Sequence, residues 1–313
     1  MMARTDRHFR YLIRLIAPGV GLYSEMVTAN AVLHGDRARL LAFDPAEHPV
    51  ALQLGGGELR ALAAAAAIGE AAGYDEINLN VGCPSPRVRE GAFGAALMAE
   101  PARVAACAAA MKAAVAVPVT VKCRVGIDDR DRYEDLLGFA ETVAAAGADG
   151  LIVHARKAWL SGLSPAENRT LPPLRHDRVH RLRRDPAPLP VVLNGGIATP
   201  EAAVAHLARV DGVMIGRAAY ATPMLLAEIA ARVLGPAGLR RDPLAVIDSY
   251  LMYVRRCLAE GVPLATLARP VLGLFARIPG ARGWRRHLAE NAHRPGAGAG
   301  VIEDALALVT ASA

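Results

Sequence analysis

Residues 77–85 read INLNVGCPS, from Ile77 to Ser85. The alternation predicts a strand that sends Asn78 and Asn80 to one face and Leu79 and Val81 to the other. Gly82 permits a tight turn and Pro84 fixes the backbone beyond it, so Cys83 would be held stiffly at the strand's end. A lone cysteine beside a turn is equally well a small buried side chain. The rest of the chain has to decide between these readings.

Working outward, short apolar runs of the same kind recur at Leu22–Val27, Val50–Leu54, Val119–Arg124, Gly150–His154, Val191–Asn194 and Gly212–Ile215, with Glu76–Val81 among them. Ala-rich, helix-compatible stretches fill most of the intervals. Alternating β and α elements with nearly continuous apolar strands predict a parallel sheet covered by helices, and the regular repeat favours a (β/α)8 barrel over a doubly wound sheet. No Gly-x-Gly-x-x-Gly follows any of the strands, which removes the main support for a dinucleotide-binding fold. Beyond Pro223 the strand-like runs stop. Leu225–Leu234, Pro243–Glu260, Leu264–Phe275, Arg282–Ala292 and Val301–Ala311 all suit helices, with Gly235-Pro236-Ala237-Gly238 and Ile278-Pro279-Gly280 as breaks. The expected organisation is an α/β barrel over residues 1–223 and an all-helical domain over 224–313.

The chain of 313 residues carries a net charge of +6, and 33 of its 36 basic residues are Arg. Residues 224–313 hold 11 basic and 7 acidic side chains, so +4 of the +6 falls in the helical part. Arg277, Arg282, Arg285, Arg286 and Arg294 crowd there around Trp284, and a second cluster spans Arg175 to Arg184. Phosphate backbones suit both patches, although an Arg-biased solvated surface would look the same. The four cysteines show neither a Cys-x-x-Cys pair nor histidines at ligand spacing, which argues against zinc and against a disulfide framework and fits a reducing cytoplasm. No apolar run reaches membrane-spanning length, and the Tyr11–Ile16 patch has no signal-peptide pattern.

In a parallel barrel the ligand meets side chains at the C-terminal ends of the strands. The polar residues there are Gln53, Asn78, Asn80, Lys122, His154, Asn194 with Gly195 and Gly196, and Gly216 with Arg217. Each alone has a packing explanation: Gln53 could bond a turn, and Lys122 could pair with Glu25. Polar groups ending most of the strands together are harder to explain by packing. Asn194-Gly195-Gly196 and Gly216-Arg217 would let backbone N–H groups approach an anion, which implies a phosphorylated cofactor. Lys122 would place a positive charge at the barrel mouth, suited to an anionic reduced flavin ring, with Gln53 bonding its edge.

The motifs YSEMVT (23–28), HPVALQLGG (48–56), GYDEINLNVGCPS (73–85), VTVKCRVGIDD (119–129), IVHARKAWLSGLSP (152–165), LNGGI (193–197), DGVMIGR (211–217) and IPGARGWRRHLAENAH (278–293) cover almost the whole chain. In these the chain resembles the tRNA-dihydrouridine synthases, and specifically the subfamily acting on uridines 20 and 20a of the D-loop. The resemblance implies an FMN enzyme that reduces the C5–C6 double bond of uridine in tRNA with NADPH as hydride source. It implies that Gln53, Lys122, His154, Asn194, Gly195, Gly196, Gly216 and Arg217 hold FMN, and that Cys83 donates the proton at C5. Asn80 would hold the uracil edge, and Arg169, Arg285 and Arg286 would engage RNA phosphates. The uridine must leave its stack to reach a barrel mouth, and contacts to the tRNA backbone must offset that loss. Cys123, next to Lys122 in its strand, should face the other way. The expected protein is a cytoplasmic monomer without metal.

The chain departs from the family pattern in two places. The pattern begins with a strand ending in Ala-Pro-Met, and here Met1-Met2 falls on its tail, with Ala3-Arg4 in place of an acidic-aromatic pair. The first barrel strand is therefore expected to be absent, with the true start upstream. Pro270 stands where the family often has His. Two other readings stay open on the residues alone: a noncatalytic tRNA-binding relative, and a flavin-dependent barrel reductase of a free pyrimidine.

Overall fold

The structure, a computed structural model, describes residues 1–85, 91, 93–185, 189–235 and 242–310. Of the Gly235–Gly238 break, positions 236–238 lie outside the described residues. The chain forms two compact units, one of Met1, Gly21–Ile197 and Glu201–Ile215, the other of Met2–Val20, Ala198–Pro200 and Gly216–Ala313. The sequence boundary at 223 and the grouping of residues 2–20 with the barrel therefore differ from the division observed. Phe9, Leu12, Ile13 and Ile16 recur at helical spacing and are buried, which draws the N-terminal segment into a helical core.

The first unit is built on seven parallel strands: β1 (Leu22–Thr28), β2 (Val50–Gly55), β3 (Glu76–Asn80), β4 (Val119–Arg124), β5 (Gly150–His154), β6 (Val191–Asn194) and β7 (Gly212–Met214). Each strand is hydrogen-bonded to the next in sequence, so the order is β1-β2-β3-β4-β5-β6-β7. A doubly wound sheet would reverse this order at a switch point. The sheet curls in the manner of a TIM-type barrel, and β1 and β7 are its edges among the described residues. The helix Leu59–Ala71 shows which face lies outward. A Cβ on its Gly69 would stand 2.5 Å from Leu52 Cδ2 and 2.9 Å from Ile77 Cδ1, so Leu52 and Ile77 pack under helices. Gln53, Asn78, Asn80, Thr120 and Lys122, of opposite parity, turn to the inside of the curl.

Three aspartates set the register by one repeated device at the strand N-termini. Asp75, Asp149 and Asp211 immediately precede β3, β5 and β7. Each donates its N–H to the carbonyl of the first residue of the preceding strand: Val50 (3.0 Å), Val119 (2.8 Å) and Val191 (3.0 Å). Each accepts the N–H of that same residue on Oδ2, at 2.6, 2.7 and 2.8 Å. A basic side chain completes each site at 2.7 Å, from His48, Lys112 and Arg183 respectively.

In the second unit, the helix Arg7–Ile16 packs on Pro243–Ala259 through a His8 Nδ1 contact with Tyr253 Oη (2.7 Å) and a Tyr11–Tyr253 stack at 4.0 Å. The single helix expected over Leu264–Phe275 is instead two pieces, Leu264–Ala268 and a 3-10 turn Pro270–Gly273. Pro270 has no N–H to continue an α-helix, and it opens the second piece. Ala281–Asn291 and Gly300–Thr310 complete this unit, with Trp284 fully buried and donating its indole N–H to Val271 O (3.0 Å).

Candidate active site

On the inward face of β2, β3 and β4 the polar side chains form a connected hydrogen-bond lattice that reaches the strands' C-terminal rim at Asn80. Gln53 is level with Asn78, and Asn78 with Thr120. Gln53 Nε2 donates to Asn78 Oδ1 (2.8 Å), and Asn78 Nδ2 donates to Thr120 Oγ1 (2.8 Å). Asn80 Nδ2 donates to Gln53 Oε1 (2.7 Å), while Asn80 Oδ1 accepts the N–H groups of Gly82 (3.0 Å) and Cys83 (3.1 Å). Asn80 thus builds the turn that presents Cys83. Cys83, itself partly exposed, accepts the Ala95 N–H on its carbonyl (2.9 Å).

Lys122, level with Asn80 on the neighbouring strand, donates to Asn194 Oδ1 (3.1 Å), and Asn194 Nδ2 donates to Met214 O (2.7 Å). Among the described residues no carboxylate pairs with Lys122. Burial, reinforced by the Arg124 guanidinium, lowers its pKa to about 8. The pairing with Glu25 weighed from sequence is not formed. Cys123, excluded as a reactive group, is fully buried on the opposite face, and burial pushes its thiol up to about 12.

His154, level with Asn194, lies against the Gly-Gly turn. Gly195 has φ 109° and Gly196 φ 77°, both in the region that favours glycine. A Cβ on Gly195 would also stand 3.2 Å from His154 Nε2. His176 Nε2 donates to Gly195 O (2.7 Å) and braces the turn from the helix His176–Arg184.

The structure brings Gln53, Asn80, Cys83, Lys122, His154, Asn194 and Gly195 to one rim of the sheet, with Gly196 next in the chain. Gly216 and Arg217 belong to the second unit, where Gly216 precedes the short helix Arg217–Ala221. Arg169 is exposed on the 3-10 turn Glu167–Arg169 of the first unit, and Arg285 and Arg286 are exposed on Ala281–Asn291 of the second.

Sequence reading missed Arg124, two residues beyond Lys122 and on the same face. It is 4% exposed, and its guanidinium donates to Gly82 O (3.0 Å) and to Asn168 O (3.1 Å). It therefore ties the Cys83 turn to the loop after β5. Asn168, itself fully buried, holds that loop through Trp159 N (2.8 Å) and Trp159 O (3.0 Å). Burial lowers the Arg124 pKa to about 10, with Arg169 and Arg156 acting in the same direction. The i+2 spacing from Lys122 was the available signal. Two cations on one strand without a carboxylate partner among the described residues, beside a positive-φ Gly turn, form a donor set that fits an anionic, phosphate-bearing ring.

The family model described as dihydrouridine synthase matches residues 1–310. The chain is 56% identical over 306 residues to the tRNA-dihydrouridine(20/20a) synthase of Xanthomonas campestris pv. campestris, covering 97% of this chain and 90% of that protein. It is 52% identical over 310 residues to the proteins of that name from Escherichia coli (strain K12) and Vibrio cholerae, covering 99% of this chain and 90% and 94% of theirs. Among solved structures, a 2-naphthoyl-CoA reductase complex superposes with a TM-score of 0.57 at 12% identity, over 72% of this chain and 47% of that one. That likeness shows the fold alone.

Proposed function

Because the chain belongs to the dihydrouridine synthase family, we propose that the residues at its sheet rim reduce uridines 20 and 20a of the tRNA D-loop, with Cys83 as proton donor. The enzyme is a flavin-dependent oxidoreductase that converts uridine in tRNA to 5,6-dihydrouridine. FMN, reduced by NADPH, supplies the hydride for C6 of the uracil ring. The chain's own residues do the rest.

Gln53, Lys122, His154, Asn194, Gly195 and Gly196 hold the flavin, with Gly216 and Arg217 as further phosphate ligands. Lys122 supplies the positive charge and Gln53 the neutral edge contact. Cys83 delivers its proton to C5 as negative charge develops there and at O4. Asn80 keeps the turn in shape and bonds the uracil edge. Arg169, Arg285 and Arg286 bind phosphates and offset the unstacking of the target base. The strand unit then serves as the flavin-binding catalytic part, and residues 224–313, which fall within the helical unit, as the tRNA-binding part. We read the protein as a cytoplasmic monomer that needs no metal.

The observation that carries this reading is the rim itself: Cys83 on a turn built by Asn80, one strand from a buried ammonium. In Cys83→Ala, NADPH should still bleach the flavin band near ~450 nm, while dihydrouridine formation on tRNA falls by at least about 100-fold. Wild-type turnover from that variant would remove Cys83 from the role.

A further inference from the structure

The lattice under Cys83 does not stop at Asn78. Thr120 Oγ1, which accepts from Asn78, donates in turn to Glu76 Oε1, and Tyr23 Oη donates to the same oxygen (2.8 Å). Glu76 is the first residue of β3, so the chain runs the length of that strand from floor to rim. Every link points the same way. Cys83 N–H donates to Asn80, Asn80 to Gln53, Gln53 to Asn78, Asn78 to Thr120, and Thr120 to Glu76.

Both ends admit only that direction. A backbone N–H can only donate, and Glu76 Oε1 accepts from the Thr120 and Tyr23 hydroxyls together, so it offers Thr120 no proton. Between them sit three primary amides, each able to rotate by half a turn and exchange its donor and acceptor. With both ends fixed, reversing any one amide faces donor to donor on one side and acceptor to acceptor on the other. The amides are therefore locked by the two ends rather than by their own shape.

We propose that Glu76 is a positioning residue for the reaction: its carboxylate at the barrel floor fixes the orientation of Asn78, Gln53 and Asn80, and through them the turn that carries Cys83. The inference rests on the reading of Cys83 as proton donor. Tyr23 is suited to its place, because burial and the neighbouring carboxylate push its pKa up and keep it a donor. Burial also raises the Glu76 pKa, with Asp149 acting in the same direction, while the Thr120 and Tyr23 hydroxyls oppose it. Those two hydroxyls and the Asp149 carboxylate are the polar groups that act on Glu76 from β1, β4 and the turn before β5.

The test uses Glu76→Gln in the flavin-loaded protein, which keeps the shape and exchanges the carboxylate for an uncharged amide able to present either a donor or an acceptor, so that this end no longer fixes a direction. Losing a charge-assisted acceptor should speed amide exchange at Gly82 and Cys83 by about tenfold or more, with the other β3 and β4 amides unchanged. Turnover on tRNA should fall by a similar factor through kcat, with KM for tRNA unaltered. Thr120→Val cuts the chain one link higher and should reproduce these effects, and the double variant should add nothing to either alone. It also serves if Glu76→Gln does not fold.

Wild-type exchange at Gly82 and Cys83 in both variants overturns the proposal, as does exchange accelerated throughout both strands. Cys83→Ala separates the two claims. If the turn loosens in Glu76→Gln while Cys83→Ala keeps full turnover, the relay stands and the proton-donor reading fails. If Cys83→Ala is inactive and Glu76→Gln keeps both its protection and its kcat, the relay fails alone.

Discussion

Lys122 is the residue whose surroundings most constrain what the site can hold. Its ammonium donates to an uncharged amide, Asn194, and shares its strand with the buried Arg124 guanidinium, so a bound anion is the natural complement. With a pKa lowered to about 8, the side chain is charged below that pH and neutral above it. Flavin affinity of the apoprotein should therefore weaken as pH rises through about 8, because binding an anion there requires a proton to be taken up first. Lys122→Met should bind flavin about tenfold or more weakly and lose this pH step. Fluorescence titrations between pH 6.5 and 9.5 check both, and a flat wild-type profile would contradict the assignment. At this scale the strand pattern alone was enough to place Asn194 at the end of its strand, Gly195 just beyond it and Lys122 near the end of its own. Sequence reading passed over Glu76, Thr120 and Arg124, whose meaning comes from partners 42 and 44 residues away in the chain.

The elements owe their register to short polar devices rather than to apolar pattern alone. Leu, Val and Ile at alternate positions say which face is covered, but sliding a strand by two residues keeps the same faces covered. The aspartates before β3, β5 and β7 remove that freedom by clamping both backbone groups of one residue on the preceding strand. Asp149→Ala should lose about 1–2 kcal/mol, since the Val119 N–H is left without its acceptor. Asp149→Asn keeps an oxygen for that N–H and loses mainly the contact with Lys112, half-exposed and worth little. Denaturant midpoints at unchanged m-value should rank wild type, Asn, then Ala, and equal losses in the two variants would assign the effect to the ion pair instead. The break at Pro270 is legible by the same logic: the missing N–H divides what the apolar spacing alone reads as one helix.

Over the whole molecule the two units answer to different variables. In the helical unit, His8 is buried against Tyr253, and burial outweighs the attraction of Asp6, with Arg7, Arg10 and Arg269 adding to it, to lower its pKa to about 4. The unfolded chain takes up this proton near the ordinary histidine pKa of about 6.5, while the folded one resists it until about 4. Stability should therefore fall as pH drops from about 6.5 towards 4, by up to roughly 3 kcal/mol from this site. His8→Gln should flatten the thermal midpoint over that window, and an unchanged slope would point to other groups. Arg282, Arg285 and Arg286 stand exposed on the helix whose other side buries Trp284 and Leu288. If Arg285 and Arg286 neutralise phosphates, changing each to Gln should reduce the slope of log K for tRNA against log salt by about 0.7–0.9. A slope equal to wild type in the double variant would place the RNA contact elsewhere.

The sequence by itself determined the seven strands and the helical character of the region after them, because strand alternation, Gly and Pro breaks and helical spacing are local properties that survive without knowledge of partners. It also determined the rim residues, since strand-end position in a parallel sheet is read from the same pattern. Only the tertiary structure decided that residues 2–20 join the helical unit, because an amphipathic segment states that it needs a partner without stating which one. Only the tertiary structure decided the polarity of the chain from Cys83 to Glu76. An amide in a sequence has no direction until neighbours on other strands present a group that can only donate at one end and a group that can only accept at the other.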